Sequence, residues 1–150
     1  MKRHLLIRKV PPIGLGDWVS AQIVNPGAGV NFAFTCPVGL KFELVSVRYQ
    51  LQTDATVSNR TANIVIDDGT NILSLTANNT LHTASQTVRY TAAPTLLTTV
   101  PLSNEATLPL GQPSLLMPGW RVRSNIGNFQ AGDVLTNIFW VARRFDVGRQ

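Results

Sequence analysis

Apolar residues in this chain alternate with polar ones, and nowhere in its 150 residues do they fall at the three-and-four spacing that lets a helix bury one face. From Trp18 onward, short alternating runs are bounded by Pro, Gly, Asn and Asp. These residues turn a chain, because Pro pins φ and Gly tolerates positive φ. The longest run, Leu40 to Gln52, puts Val45, Val47, Tyr49 and Leu51 on one side of a strand and Ser46, Arg48 and Gln50 on the other. Residues 59–67 repeat the pattern with Ala62, Ile64 and Ile66 inward, and Asp68-Gly69 then turns into residues 71–77, a predicted β-hairpin. Shorter strands are predicted over 18–24 and 30–36, closed by Asn25-Pro26-Gly27 and Pro37-Val38-Gly39. In residues 83–92, Val88 and Tyr90 face inward and Arg89 outward.

Between 93 and 118 five prolines (Pro94, Pro101, Pro109, Pro113, Pro118) leave room only for short or edge strands, since Pro cannot donate to a ladder. Pro118-Gly119 turns into 120–126, with Trp120, Val122 and Ile126 inward and Arg121 and Arg123 outward. Ala131-Gly132-Asp133 turns into 134–145, which is apolar on both faces around Ile138 to Val141, as a central or covered strand is. About eight to ten strands at roughly even spacing in one domain predict an all-β antiparallel sandwich or barrel. The alternation of long patterned strands with a long irregular crossover favours a jelly-roll-like form over an immunoglobulin-like one.

Ahead of the strands stands a different segment. Pro11, Pro12, Gly14 and Gly16 rule out a sustained helix, so residues 1–17 read as an extended arm and 18–150 as a single β-sandwich domain. The formal net charge of +5 is concentrated in that arm, where Lys2, Arg3, Arg8 and Lys9 accompany the apolar Leu5, Leu6, Ile7 and Val10. Arg143, Arg144 and Arg149 near the other end face only Asp146, and the middle is nearly neutral, so the basic stripe of a nucleic-acid binder is missing. Charged residues are 14% of the chain against about 25% in typical domains, which leaves Thr, Asn, Ser and Gln to build the surface. The three-residue apolar run ended by Arg8 and Lys9 does not read as a cleaved leader, and no stretch approaches the ~20 apolar residues of a spanning helix. A soluble protein made in the cytoplasm, with no membrane contact, is expected.

Chemistry-bearing constellations are scarce. The lone Cys36 lies in an apolar run and reads as a buried small hydrophobe. His4 and His82 have no partner at ligand spacing and are expected at the surface. Asp67-Asp68-Gly69 lacks the further oxygen ligands of a calcium loop and reads as a hairpin turn. Asn59-Arg60-Thr61 and Asn78-Asn79-Thr80 match the glycosylation sequon but read as turn residues. No nucleophile elbow, phosphate loop or dinucleotide fingerprint occurs. The expectation is a non-enzymatic protein without metal, cofactor or catalytic residue. Trp18, where arm meets strand, either anchors the arm in a partner's pocket or plugs the end of its own sandwich.

Several stretches carry a resemblance: Pro37-Val38-Gly39-Leu40-Lys41-Phe42-Glu43-Leu44-Val45-Ser46-Val47, Ile66-Asp67-Asp68-Gly69, Val88-Arg89-Tyr90-Thr91, Pro118-Gly119-Trp120-Arg121-Val122-Arg123 and Gln130-Ala131-Gly132-Asp133. Over residues 37–145 the chain resembles capsid decoration (auxiliary) proteins of tailed bacteriophages, including thermophilic ones. The resemblance implies a jelly-roll-like subunit, usually a homotrimer, clamped on the outside of an icosahedral shell against internal DNA pressure. Its partners would be the major capsid protein and its own copies. The arm's role follows from its chemistry. It cannot bury its apolar residues within itself, so Lys2, Arg3, Leu5, Leu6, Ile7, Arg8, Lys9, Val10 and Trp18 are assigned to partner binding, as a strand added to a neighbour's edge. Phe139, Val141 and Arg143 are assigned to a subunit interface. The alternative function is a receptor- or glycan-binding sandwich module of a phage tail or fibre.

Overall fold

The computed structural model describes residues 16–76, 81–94, 96, 104–112 and 114–147. Residues 1–15, and with them His4 and every arm residue assigned to partner binding except Trp18, lie outside the described residues, as does Asn78-Asn79-Thr80. Eleven strands run through the described residues: β1 (Asp17–Gln22), β2 (Ala33–Thr35), β3 (Leu40–Gln52), β4 (Arg60–Asp67), β5 (Ile72–Thr76), β6 (Leu81–His82), β7 (Thr87–Ala93), β8 (Glu105–Pro109), β9 (Leu115–Leu116), β10 (Arg121–Gly127) and β11 (Val134–Asp146).

They form two sheets. The larger has the order β1-β11-β3-β7-β8 with β9 also on β3, and the smaller β2-β10-β4-β5 with β6 on β4. The chain changes sheet between β1 and β2, β2 and β3, β3 and β4, β6 and β7, β9 and β10, and β10 and β11, so the path 1-11-3-7 faces 2-10-4-5 in the jelly-roll arrangement. All pairings are antiparallel except β7 with β8. A parallel neighbour needs a crossover of about a dozen residues, and the proline-rich stretch between Ala93 and Glu105 supplies one.

The inward faces meet in one core. Phe34 from the smaller sheet packs on Phe42 and Trp140 of the larger, with ring centroids 5.7 and 4.6 Å away, and Phe32 meets Tyr49 edge-on at 5.5 Å. Ala62, Ile64, Ile66, Val88, Tyr90, Val122 and Ile126 are buried as the alternation predicts, and Trp120 packs against the core from its edge. The hairpin of β4 and β5 is likewise as expected, and among the described residues the proline-rich region holds only the short strands β8 and β9.

Two β-bulges account for what simple alternation misses. Val141 is opposite Ser46 while Ala142 is opposite Leu44, so Val45 is the extra residue on β3. Val45 was expected inward with Val47; it is instead only half-buried, because the inward set shifts from Phe42 and Leu44 to Val47, Tyr49 and Leu51 across the bulge. On β11 the pairs Thr136–Gln50 and Phe139–Arg48 bracket a second extra residue, with Asn137 at φ 51°. The inward set therefore passes from Leu135 to Ile138, Trp140 and Ala142, which turns Phe139, Val141 and Arg143 outward. Apolar residues on both faces of this stretch reflect that phase change in a strand held between β1 and β3.

Candidate functional site

The outward face of the larger sheet gathers the described residues that the sequence marks for binding. Cross-strand register sets Trp18 beside Arg143 and Glu43, Ser20 beside Val141 and Ser46, and Gln22 beside Phe139, Arg48 and Thr91. Thr136, Gln50, Arg89 and Glu105 make the next row. Trp18, Phe139, Val141 and Arg143, drawn from two assignments far apart in sequence, thus share one surface.

Trp18 is 62% exposed and does not plug the sandwich. Its neighbour Val19 points inward against the core, so period-2 geometry sends the indole outward. The Arg143 guanidinium carbon lies 5.1 Å from the indole centroid, a cation–π arrangement, and Arg143 reaches Glu43 at 4.0 Å. Just before Trp18 the chain turns at Gly16, whose φ of 57° and contact with the Phe145 ring leave no space for a Cβ: one built there would lie 2.9 Å from that ring. The point where residues 1–15 join the sheet is therefore a defined corner beside an exposed aromatic.

At the other end of the face, around the Asn137 bulge, lies an open cleft of about 400 Å³. Arg48, Gln50 and Arg89 line it with Asn137 and Phe139, the last 43% exposed. Arg89 faces Glu105 at 3.8 Å, with both side chains largely in solvent, whereas Arg48 makes no ion pair with any described residue. Among the described residues no group of three or more His, Cys, Asp or Glu is placed to hold a metal ion. Aromatic surface and guanidinium groups equip this face for binding.

Two polar clusters elsewhere are structural. Arg60, 0% exposed, uses all five of its N–H donors: Nε and Nη2 to the Asp133 carboxylate at 3.0 Å each, Nη2 to Asp54 at 2.6 Å, and Nη1 to the Thr56 and Ser58 carbonyls. Burial pushes the Asp133 carboxyl up, but the bonds from Arg60 and from the Gln130 and Asp54 amides outweigh it and hold the group below its ordinary range. Asp67 accepts from Arg121 and Arg123 at 2.6 and 2.7 Å, and these contacts outweigh its desolvation in the same way. Asp67-Asp68-Gly69 is thus a turn, as expected, and also an anchor for two arginines.

His82 corrects an expectation. It is buried rather than at the surface, hydrogen-bonded to the Tyr90 hydroxyl, and burial lowers its pKa while a Gln86 side-chain hydrogen bond raises it less. Cys36 is buried as expected, its Sγ 3.2 Å from the Leu40 carbonyl oxygen, and burial raises its pKa.

Sequence reasoning passed over Arg60 as part of a turn. A signal was available: Arg60 has the same parity as Ala62, Ile64 and Ile66, so the strand that turns them inward turns it inward too. The cleft had no such signal, since its residues come from four strands.

No family model, curated protein or solved structure matches this chain.

Proposed function

We propose that this protein is a non-enzymatic structural subunit of a tailed-phage virion, a decoration protein that binds the outside of the icosahedral shell and stabilises it against the pressure of packaged DNA. A jelly roll by itself hosts many functions, so the fold alone does not carry the reading. The observation that does is Trp18: a large aromatic, 62% exposed and flanked by Arg143, stands where a basic-apolar arm joins the sheet. Buried aromatic and Arg anchors dominate interface energies, and an exposed pair at the root of an adhesive segment has that composition. Residues 1–15 supply apolar side chains for a neighbour's sheet edge and four cations for acidic patches on the shell, which favour fast and specific encounter. The resemblance of residues 37–145 to decoration proteins points the same way. Its partners in this reading are the major capsid protein and further copies of itself in a trimer, with Val141 and Arg143 at the contact between copies.

A ligand that binds the mature shell and not its disrupted form stabilises the shell by mass action. Particles lacking the protein are therefore expected to assemble with normal geometry and to lose DNA at lower temperature or under osmotic shock. Adding the purified protein restores retention. Equal DNA retention with and without it, or association with tail fibres only, refutes the proposal and favours a tail module.

A further inference from the structure

We propose that the cleft on the outer face of the larger sheet binds a carboxylated saccharide, with the uronate-type carboxylate between Arg48 and Arg89 and a pyranose ring on Phe139. This inference is independent of virion attachment.

Five observations converge there. The cleft's volume, about 400 Å³, falls within the range of small-ligand sites, which combine apolar surface with a few placed polar groups. Phe139 offers a half-exposed ring to the cleft, a surface on which the C–H face of a sugar can pack. Arg48 lies in register between Phe139 and Thr91, and Gln50 lies two residues along β3 opposite Arg89, so the two guanidiniums come from adjacent strands on one side of the ring. Glu105 answers only Arg89, and only at 3.8 Å, leaving an excess of positive charge in the cleft. Finally, the bulge that turns Phe139 outward puts Asn137, a cleft residue, in the left-handed region at φ 51°. Bulges recur where a strand re-aims a side chain at a site.

The chemistry selects the ligand class. A guanidinium pairs with a carboxylate through two parallel N–H···O bonds, which a neutral sugar cannot reciprocate. The amides of Gln50 and Asn137 both donate and accept, as sugar hydroxyls do. A basic peptide is disfavoured by Arg48 and Arg89, which also excludes the cationic stretches of a neighbouring copy's arm.

The test is titration of the full chain, labelled with nitrogen-15, with trigalacturonate, its methyl ester and acetate, read by backbone amide shifts. The expected result is saturable shifts at Arg48, Asn137 and Phe139 with trigalacturonate. The ester, which keeps the rings and loses the charge, and acetate, which keeps the charge and loses the rings, each bind at least about tenfold more weakly, one missing interaction of ~1.4 kcal/mol. Arg48→Gln and Phe139→Ala each weaken trigalacturonate binding by about tenfold or more with the amide spectrum otherwise preserved, and added salt weakens the wild type more than Arg48→Gln. Equal binding of ester and acid, equal binding of acetate, or no saturable shift overturns the proposal. So does a Phe139→Ala variant that separates copies of the chain while leaving saccharide affinity unchanged.

Discussion

Replacing Asp133 with Ala tests how the Arg60 cluster holds one end of the sandwich together. The Asp133 carboxylate accepts four hydrogen bonds, two from Arg60 and one each from the amides of Asp54 and Gln130, at 2.8 to 3.0 Å. Its side chain and that of Arg60 are both fully buried. Asp133→Ala leaves a buried guanidinium with Asp54 as its remaining carboxylate and two amides without acceptors. Removing one partner of such a pair costs about 3 to 5 kcal/mol, a large share of the ~5 to 15 kcal/mol that keeps a domain folded. For a chain of this size each kcal/mol lowers Tm by about 2 to 4 °C, so the drop is roughly 6 to 20 °C. Urea unfolding followed by Trp fluorescence, with Trp140 as a buried reporter, measures it. The pair Arg60→Met and Asp133→Ala completes a cycle. Removing both members leaves no orphaned charge at Arg60, so the double variant is expected to be more stable than the sum of the single losses implies, by about 2 kcal/mol. A loss in Asp133→Ala below about 1 kcal/mol, or additivity within about 0.5 kcal/mol, refutes the account of a tightly coupled buried cluster.

Four further outcomes are expected. Because burial holds His82 neutral below its ordinary 6.5, the unfolded chain takes up a proton first as pH falls; stability therefore drops as pH goes below 6.5, and His82→Gln removes that part of the slope in a pH series of denaturation midpoints. The depressed carboxyls of Asp67 and Asp133 contribute stability that is present above the ordinary value of 3.8 and lost as pH falls through their folded values, so acid unfolding steepens there and is less steep in Asp67→Asn, whose neutral-pH cost is about 1 to 3 kcal/mol by calorimetry. Trp18→Ala forfeits an exposed cation–π contact and changes stability by about 1 kcal/mol or less, yet weakens attachment to particles at least about tenfold in a sedimentation assay. Deleting residues 1–12, which precede β1, leaves the far-UV circular dichroism of the β-domain intact and reduces particle binding sharply; binding as tight as that of the whole chain shows the arm to be dispensable.

The local sequence carried most of the secondary structure. Leu40–Gln52 is one strand as its alternation requires, Asp68-Gly69 turns β4 into β5, and Arg89 faces out between Val88 and Tyr90. These features depend on the direction of successive side chains along one strand and on the φ preferences of turn residues, both properties of neighbours in sequence. The all-β class followed from their number and spacing, and the jelly-roll form from the long irregular crossover between long patterned strands.

Which strands lie side by side, and in what register, was beyond that reach. The bulges at Val45 and Asn137 exist only because β3 and β11 pair at unequal residue counts, and they decide that Phe139 faces outward while Ile138 and Trp140 face in. Asp67 meets Arg121 across the β4–β10 pairing, Arg60 meets Asp133 across 73 residues, and Trp18 meets Arg143 because β1 closes against β11. Alternation alone determined which side of its own strand most residues would occupy. Only the tertiary structure decided which residues share that side, because strand register is set by the packing of two sheets over one core and no single strand contains it.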